Sequence, residues 1–496
     1  MTYYWPIPGA SRGLVVAVIL ILWSGCSLLQ PLQRRAIGDL GHFEFRNSSP
    51  HLKRTVIGVP RASTEPAAIG YADAIRDHMD AGLVAAYDFE NKGIPVSQPL
   101  VQRSLNSWSA ADDEGRGSVY AEFRALLSAT VDGPIEFYLG LRAANSSNPA
   151  QRIEVASAGL SFEQLKVLKS TYAQIRDRMI ATQDLPRVEI ALNPLDDISW
   201  NSDSVKNHGV LMLARRGLIL QLPSVLTDEP VRAMYQNILA AWVGEARSIS
   251  IGDRPPRQEI DITQMPFGRI DSIAARNDQH GIVIGAPHGS FDWYTGELVE
   301  ELSYRTSLPA VIARGFTPTE CGGWRINVNR PSERRYPTAT IERTTVRAEE
   351  VYRRYSAAVF KVARGSLDLY IDMHQNGDVD DIDVATVGIT WSEAHAIKAA
   401  YTQIRDQVLT KFPGAAKVNL VIEPVDQVAI GAWAAKDHGV LSLAKSSLHF
   451  EMPSHRVFYR DRDRRAYRKI LAELIQQIVN LRGNSSQRAA LKRPTQ

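Results

Sequence analysis

Four short stretches of the sequence carry side chains that could do chemistry together. In Gly281-Ile-Val-Ile-Gly-Ala-Pro-His-Gly-Ser-Phe-Asp292 an apolar run stops abruptly at Pro287, and His288 and Asp292 follow. An imidazole and a carboxylate four residues apart in a turn can converge on one cation and leave room for a third ligand from elsewhere. The alternative is a solvated loop histidine. Asp368-Leu-Tyr-Ile-Asp-Met-His374 ends in a second histidine, and because side chains alternate along a strand, Asp372 and His374 share a face. That suits a metal-bound imidazole with a carboxylate to orient it, or equally a strand-end histidine at the surface. Arg325-Ile-Asn-Val-Asn-Arg330 gathers two guanidinium groups and two amides, able to hold a substrate carboxylate in bidentate fashion or merely to charge an edge strand. In Leu448-His-Phe-Glu-Met-Pro453, Glu451 lies between apolar neighbours late in a strand, where a carboxylate can act as general base.

These positions fall at or near the ends of apolar runs, so the chain must supply strands whose ends meet. The pattern predicts a strand at 282–286, a helix near 295–306 and a helix at 344–364 with Val346, Val351, Tyr355, Ala358 and Val362 roughly on one face. A strand at 367–374, a helix at 392–411, strands at 418–422 and 448–452 and a closing helix at 466–481 follow. Alternation of this kind predicts an α/β fold with a mostly parallel sheet flanked by helices. In such folds ligands collect beyond the carboxyl ends of the strands.

From about residue 53 onward the chain repeats itself. Val56-Ile-Gly-Val-Pro-Arg-Ala-Ser63 matches Val283-Ile-Gly-Ala-Pro-His-Gly-Ser290, and residues 135–142 match 367–374. Tyr172-Ala-Gln-Ile-Arg-Asp177 matches Tyr401-Thr-Gln-Ile-Arg-Asp406, Lys206-Asn-His-Gly matches Lys436-Asp-His-Gly, and Gln221-Leu-Pro-Ser224 matches Glu451-Met-Pro-Ser454. The offset stays between 227 and 232. A repeat of about 200 residues is a duplicated domain rather than a solenoid unit. At the chemical positions the first copy has Arg61 for His288, Arg142 for His374 and Gln221 for Glu451. Arginine is no metal ligand and glutamine no base, so the first copy reads as non-catalytic. Its two arginines could hold an anion, making the domain a docking module, or pair with local acids such as Glu65. Lys206 with His208 and Lys436 with His438 occur in both copies and read as structural.

The rest of the chain sets the context. A length of 496 residues allows two or three domains, and 44% hydrophobic with 22% charged residues is ordinary for a chain with a proper core. A net charge of +3 from 57 basic and 54 acidic residues creates no strong field, which argues against a nucleic-acid partner. At the amino terminus Arg12 precedes an apolar run at 14–23, then Ser24, Gly25 and Cys26. Ten apolar residues are too few to span a bilayer comfortably, so residues 1–26 read as a signal peptide. A small-residue site directly before a cysteine resembles the lipobox of bacterial lipoproteins, with an uncleaved signal anchor as the alternative. Either predicts an exported protein, anchored to the membrane in the bacterial cell envelope through lipid on Cys26 or through the anchor. Cys26 and Cys321 are the only cysteines, which leaves no disulfide framework and no thiolate metal site.

Taken together, Pro287-His-Gly-Ser with Asp292, Asn-Val-Asn-Arg-Pro331, Ile-Asp-Met-His374 and Phe-Glu-Met-Pro453 resemble the N-formylglutamate amidohydrolase group, within the zinc carboxypeptidase and aspartoacylase-like superfamily. The resemblance implies two tandem phosphorylase/hydrolase-like domains, with one Zn2+ per chain held in the second domain by His288, Asp292 and His374. Here the acidic ligand is an aspartate four residues after the histidine, where carboxypeptidases commonly place a glutamate at three. Asn329 and Arg330 fall on the pair that grips the substrate carboxylate, Arg325 on the arginine that polarises the scissile carbonyl, and Glu451 on the catalytic glutamate. The implied activity is hydrolysis of an amide bond in a small or polymeric acidic substrate: an N-acyl amino acid, a γ-glutamyl polymer or a peptide. A non-catalytic envelope lipoprotein that binds an anionic polymer is the competing expectation, and a purely structural envelope protein a third. The expected layout is a degenerate domain at 53–245, a linker and arm at 246–279, a catalytic domain at 280–481 and a disordered tail at 482–496.

Overall fold

The apolar runs become two eight-stranded sheets with the same strand order, each covered by helices on both faces. The computed structural model describes residues 31–491 apart from 49–53, 99–100, 105–106, 111–115, 132, 144–150, 201, 252–259, 278, 337 and 339. The expected signal peptide, with Cys26, lies outside the described residues. Among the described residues no helix is long and apolar enough to cross a membrane.

In the second sheet, Ala310–Gly315, Ile282–Ala286, Leu369–Asn376 and Ser446–Pro453 run parallel at the centre. Antiparallel Ile382–Val387, with Leu420–Ile422 beside it, extends one side, and the hairpin Ile260–Met265 with Gly268–Ile273 extends the other. The first sheet repeats this plan around Gly82–Tyr87, Thr55–Val59, Phe137–Ala143 and Arg216–Leu222. Four of the seven neighbouring pairs in each sheet are parallel, which gives the mostly parallel architecture expected from the strand–helix alternation.

The duplication extends to side chains. Gly285 lies so close to Tyr370 that a Cβ would come within 1.9 Å of its hydroxyl, and Gly58 stands in the same relation to Tyr138 at 2.4 Å. Thr390 and Glu393 form a capping box on the helix Trp391–Leu409, as Ser161 and Gln164 do on Phe162–Ile180; such a cap contributes about 1 kcal/mol. Tyr172 donates to the carbonyl of Val188 at 2.9 Å, and Tyr401 to that of Val418 at 2.8 Å. Lys206 reaches Asn193 at 2.6 Å and Lys436 reaches Glu423 at 2.5 Å, each tying a short helix to the chain at the end of an edge strand.

Three expectations need revision. The stretch 246–279 is more than a linker with an arm, because Ile260–Met265 and Gly268–Ile273 are full members of the second sheet, and a matching hairpin, Gln33–Ile37 with Gly41–Arg46, precedes residue 53 in the first. The closing helix runs from Asp461 to Leu491, so most of the expected tail at 482–496 is helical; its polar sequence carries no apolar stripe to betray this. Val346 opens the helix Val346–Ala363 and is 84% exposed, whereas Val351, Tyr355, Ala358 and Val362 are buried on the inward face.

Candidate active site

The central strands of the second sheet end on the same side, and that edge gathers the chemistry. His288 and Asp292 sit in the loop after Ile282–Ala286, His374 lies near the end of Leu369–Asn376, and Glu451 is its register partner on Ser446–Pro453. All four line one cavity of about 630 Å³, together with Arg325, Asn329 and Arg330. Every site residue expected from sequence is therefore brought to a single pocket.

Asp292 is the hinge of the cluster. Its Oδ2 lies 3.3 Å from His288 Nδ1 and 2.8 Å from His374 Nδ1. Ligand atoms on a tetrahedral zinc, each about 2.0–2.1 Å from the ion, stand roughly 3.3 Å apart, and a ligand atom from each of the three side chains lies within 4.8 Å of the others. Burial alone pushes the Asp292 carboxyl up, but the two imidazoles hold it well below the usual carboxylate range. His288 is pushed down to about 3, first by burial and then by the Arg325 guanidinium. His374 is shifted the other way: burial opposes the proton, but Asp372 and Asp292 outweigh it.

Behind the cluster runs a buried relay. His374 Nε2 bonds Asp372 at 2.8 Å, Asp372 bonds His449 Nδ1 at 3.0 Å, and His449 Nε2 bonds Glu451 at 3.1 Å. Asp372 is fully buried and also accepts from the Tyr370 hydroxyl at 3.1 Å, which in turn meets that of Tyr355 at 2.9 Å. Asp372, His374 and His449 form a second group with metal-ligand geometry, sharing His374 with the first. Only the first group presents all three members to the cavity, so Asp372 and His449 fit the part of orienting groups. His449 was not anticipated, although it shares a strand face with Glu451 as Asp372 does with His374.

The arginines are more constrained than their spacing suggested. Arg325 Nη2 lies 2.8 Å from His288 Nδ1, its guanidinium stacks 3.9 Å from the Phe291 ring, and burial, the leading cause, pushes it down to about 10. Arg330 does not present a free fork. Its Nε bonds Glu342 at 2.8 Å, Nη2 contacts the same carboxylate, and Nη1 donates to Asn329 at 3.1 Å. Burial would raise Glu342, yet Arg330 holds it down to about 2. Arg334, also unanticipated, adds a third guanidinium to the cavity wall, and Trp433, 70% exposed, stands at the rim.

The first domain answers differently at the same positions. Arg61 pairs with Glu65 at 3.6 Å, Glu65 accepts from the Ala143 N–H at 2.8 Å, and the Arg142 guanidinium packs 5.1 Å from the Trp200 ring centre. Arg61 is thus paired with the local acid named as its alternative partner.

No family model matches the chain, and no curated protein matches it. Among solved structures it is similar to a candidate metallopeptidase from Shewanella baltica OS155 (12% identity over 48% of this chain and 92% of that one, TM-score 0.28). It is also similar to a metallo-carboxypeptidase from Burkholderia cenocepacia (13% identity, 49% and 69%, TM-score 0.28). A third is a bacteriophage poly-gamma-glutamate hydrolase (9% identity, 43% and 93%, TM-score 0.26).

Proposed function

We propose that the second domain is a zinc-dependent amidohydrolase acting on an amide bond in a carboxylate-bearing substrate, of the N-formylglutamate amidohydrolase or carboxypeptidase kind. The observation that carries this reading is the convergence of His288, Asp292 and His374 on one cavity edge, with Glu451 in register beside them. Zinc held by those three side chains would supply Lewis acidity toward a carbonyl and a water of lowered pKa. Glu451 takes a proton from the attacking water and returns it to the leaving amine, and His449 keeps its carboxylate aimed. Arg325 stabilises negative charge developing on the carbonyl oxygen. Arg330 and Arg334 make that wall cationic and Asn329 adds an amide, which selects an anionic substrate such as an N-acyl amino acid or a γ-glutamyl chain. Glu342 sets the strength of this selection, because a substrate carboxylate competes with it for Arg330. We place this activity in the cell envelope, reached by export and anchored through Cys26.

The test joins metal analysis of the purified chain to a panel of N-acyl amino acids, γ-glutamyl oligomers and neutral amides. One zinc per chain with amine release from acidic members is expected. Stoichiometric zinc with no turnover of any member would favour a binding protein instead.

A further inference from the structure

The short helix that walls the cavity in the second domain, Trp433–His438, has a counterpart in the first, Asp203–Asn207, that reaches across to the other domain. It packs under the loop carrying His288 and Asp292. Ser290 Oγ donates to the carbonyl of Asn207 and accepts from the Gly315 N–H at 2.7 Å. The backbone N–H of Tyr294 donates to Asp203 Oδ1 at 3.0 Å. Asn207 donates to the same carboxylate at 2.5 Å and accepts from Arg314, while Lys206 pairs with Glu300 at 3.1 Å. Asp203, Asn207 and Ser290 are all 0% exposed, so water does not compete for these bonds. Gly296 lies at this contact: a Cβ there would come within 2.8 Å of the Gly289 carbonyl oxygen and 2.9 Å of Asn207 Oδ1. Burial, and then Glu297, pushes the Asp203 carboxyl up to about 7. Keeping an acid there costs free energy that its bonds to Tyr294 and Asn207 offset.

We infer that Asp203 and Asn207 of the first domain are positioning residues for the ligand loop: they fix Ser290 and Tyr294, on either side of Asp292, from outside the domain that holds the site. This gives the non-catalytic copy a part in the reaction. The inference rests on the metal reading of His288, Asp292 and His374.

The test is zinc affinity of the full-length chain, measured by competition with a chromophoric chelator. Asp203→Ala and Ser290→Ala should each weaken binding by about 10–100-fold, the size typical of changes just behind metal ligands. Asp203→Asn, which keeps an acceptor oxygen for the Tyr294 N–H, should stay close to wild type. Near-ultraviolet circular dichroism identifies a variant that fails to fold, and if Asp203→Ala does, Ser290→Ala decides. Unchanged affinity in a folded Asp203→Ala or Ser290→Ala chain overturns the inference, as does an equal loss in Asp203→Asn. A wild-type chain that takes up no zinc overturns the metal reading and this inference with it, so the two failures are told apart.

Discussion

Strand Phe137–Ala143 meets Arg216–Leu222 in the register with which Leu369–Asn376 meets Ser446–Pro453, so four positions compare directly between the copies. Gly140, Arg142, Ile219 and Gln221 stand where the second domain has Asp372, His374, His449 and Glu451. The capping boxes, the Gly–Tyr packing and the lysine ties are common to both. What differs is the polar cluster, and one acid survives the difference: Glu65 follows Arg61 by four residues, as Asp292 follows His288. A buried carboxylate needs a counter-charge. In the first domain the chain supplies it as guanidinium, and burial still pushes Glu65 up; in the second, imidazoles pull Asp292 down against burial. A tethered cation closes a site, whereas imidazoles leave coordination open to a diffusible one.

The largest effect should come from making the second site like the first. His288→Arg with His374→Arg is expected to drop zinc from one per chain to none and to abolish hydrolysis. Metal analysis after dialysis, with a melting curve to show that the fold is kept, reads this. Retained zinc would mean that these imidazoles are not the ligands. Glu451→Gln installs the first copy's residue at the base and should cost at least about 100-fold in kcat while zinc stays in place. A fully active variant would show that the base lies elsewhere. Next in size is Arg330→Ala. Loss of a charge-assisted contact of about 1.5–3 kcal/mol corresponds to a rise in KM of about 10–150-fold for carboxylate-bearing substrates, with little change for neutral amides. An equal rise for both would remove the grounds for an acidic substrate.

The central strands and seven of the pocket-lining residues were legible because apolar runs ending at Pro, Gly or a polar pair mark strand ends, and the repeat pointed to several of the same positions twice. His449 was missed although its parity with Glu451 was visible, because a histidine between Leu448 and Phe450 reads as an interruption of an apolar strand. The edge hairpins at 33–46 and 260–273 were missed for another reason: an edge strand needs one apolar face, and Gln-Arg-Arg-Ala-Ile or Ile-Asp-Ile-Thr-Gln-Met is too short and polar to stand out. Glu342 lies 12 residues beyond Arg330, and its approach depends on how the intervening chain folds back. The contact between domains was hidden most deeply. Asp203, Lys206 and Asn207 are residue types that sequence places in solvent, and only the partner domain makes burying them feasible.

The smallest expected effect sharpens the comparison from the other side. Arg61→His with Arg142→His would give the first domain two imidazoles around Glu65, which is already present and already tied to the Ala143 N–H. If the three ligand types alone separate the copies, a second zinc should bind. It should bind weakly, about 10–100-fold less tightly than the first, because nothing orients the new imidazoles. The orienting acid cannot simply be added, since a Cβ at Gly140 would come within 2.8 Å of Ile219 and 3.2 Å of Tyr138, the space that Asp372 uses in the other copy. Nor should the new site hydrolyse anything, because Gln221 is no base. Competition titration of the double variant would resolve two classes of site. A single class at unchanged stoichiometry, even at high zinc, would mean that the ligand set is not what distinguishes the copies and that the framework behind it decides.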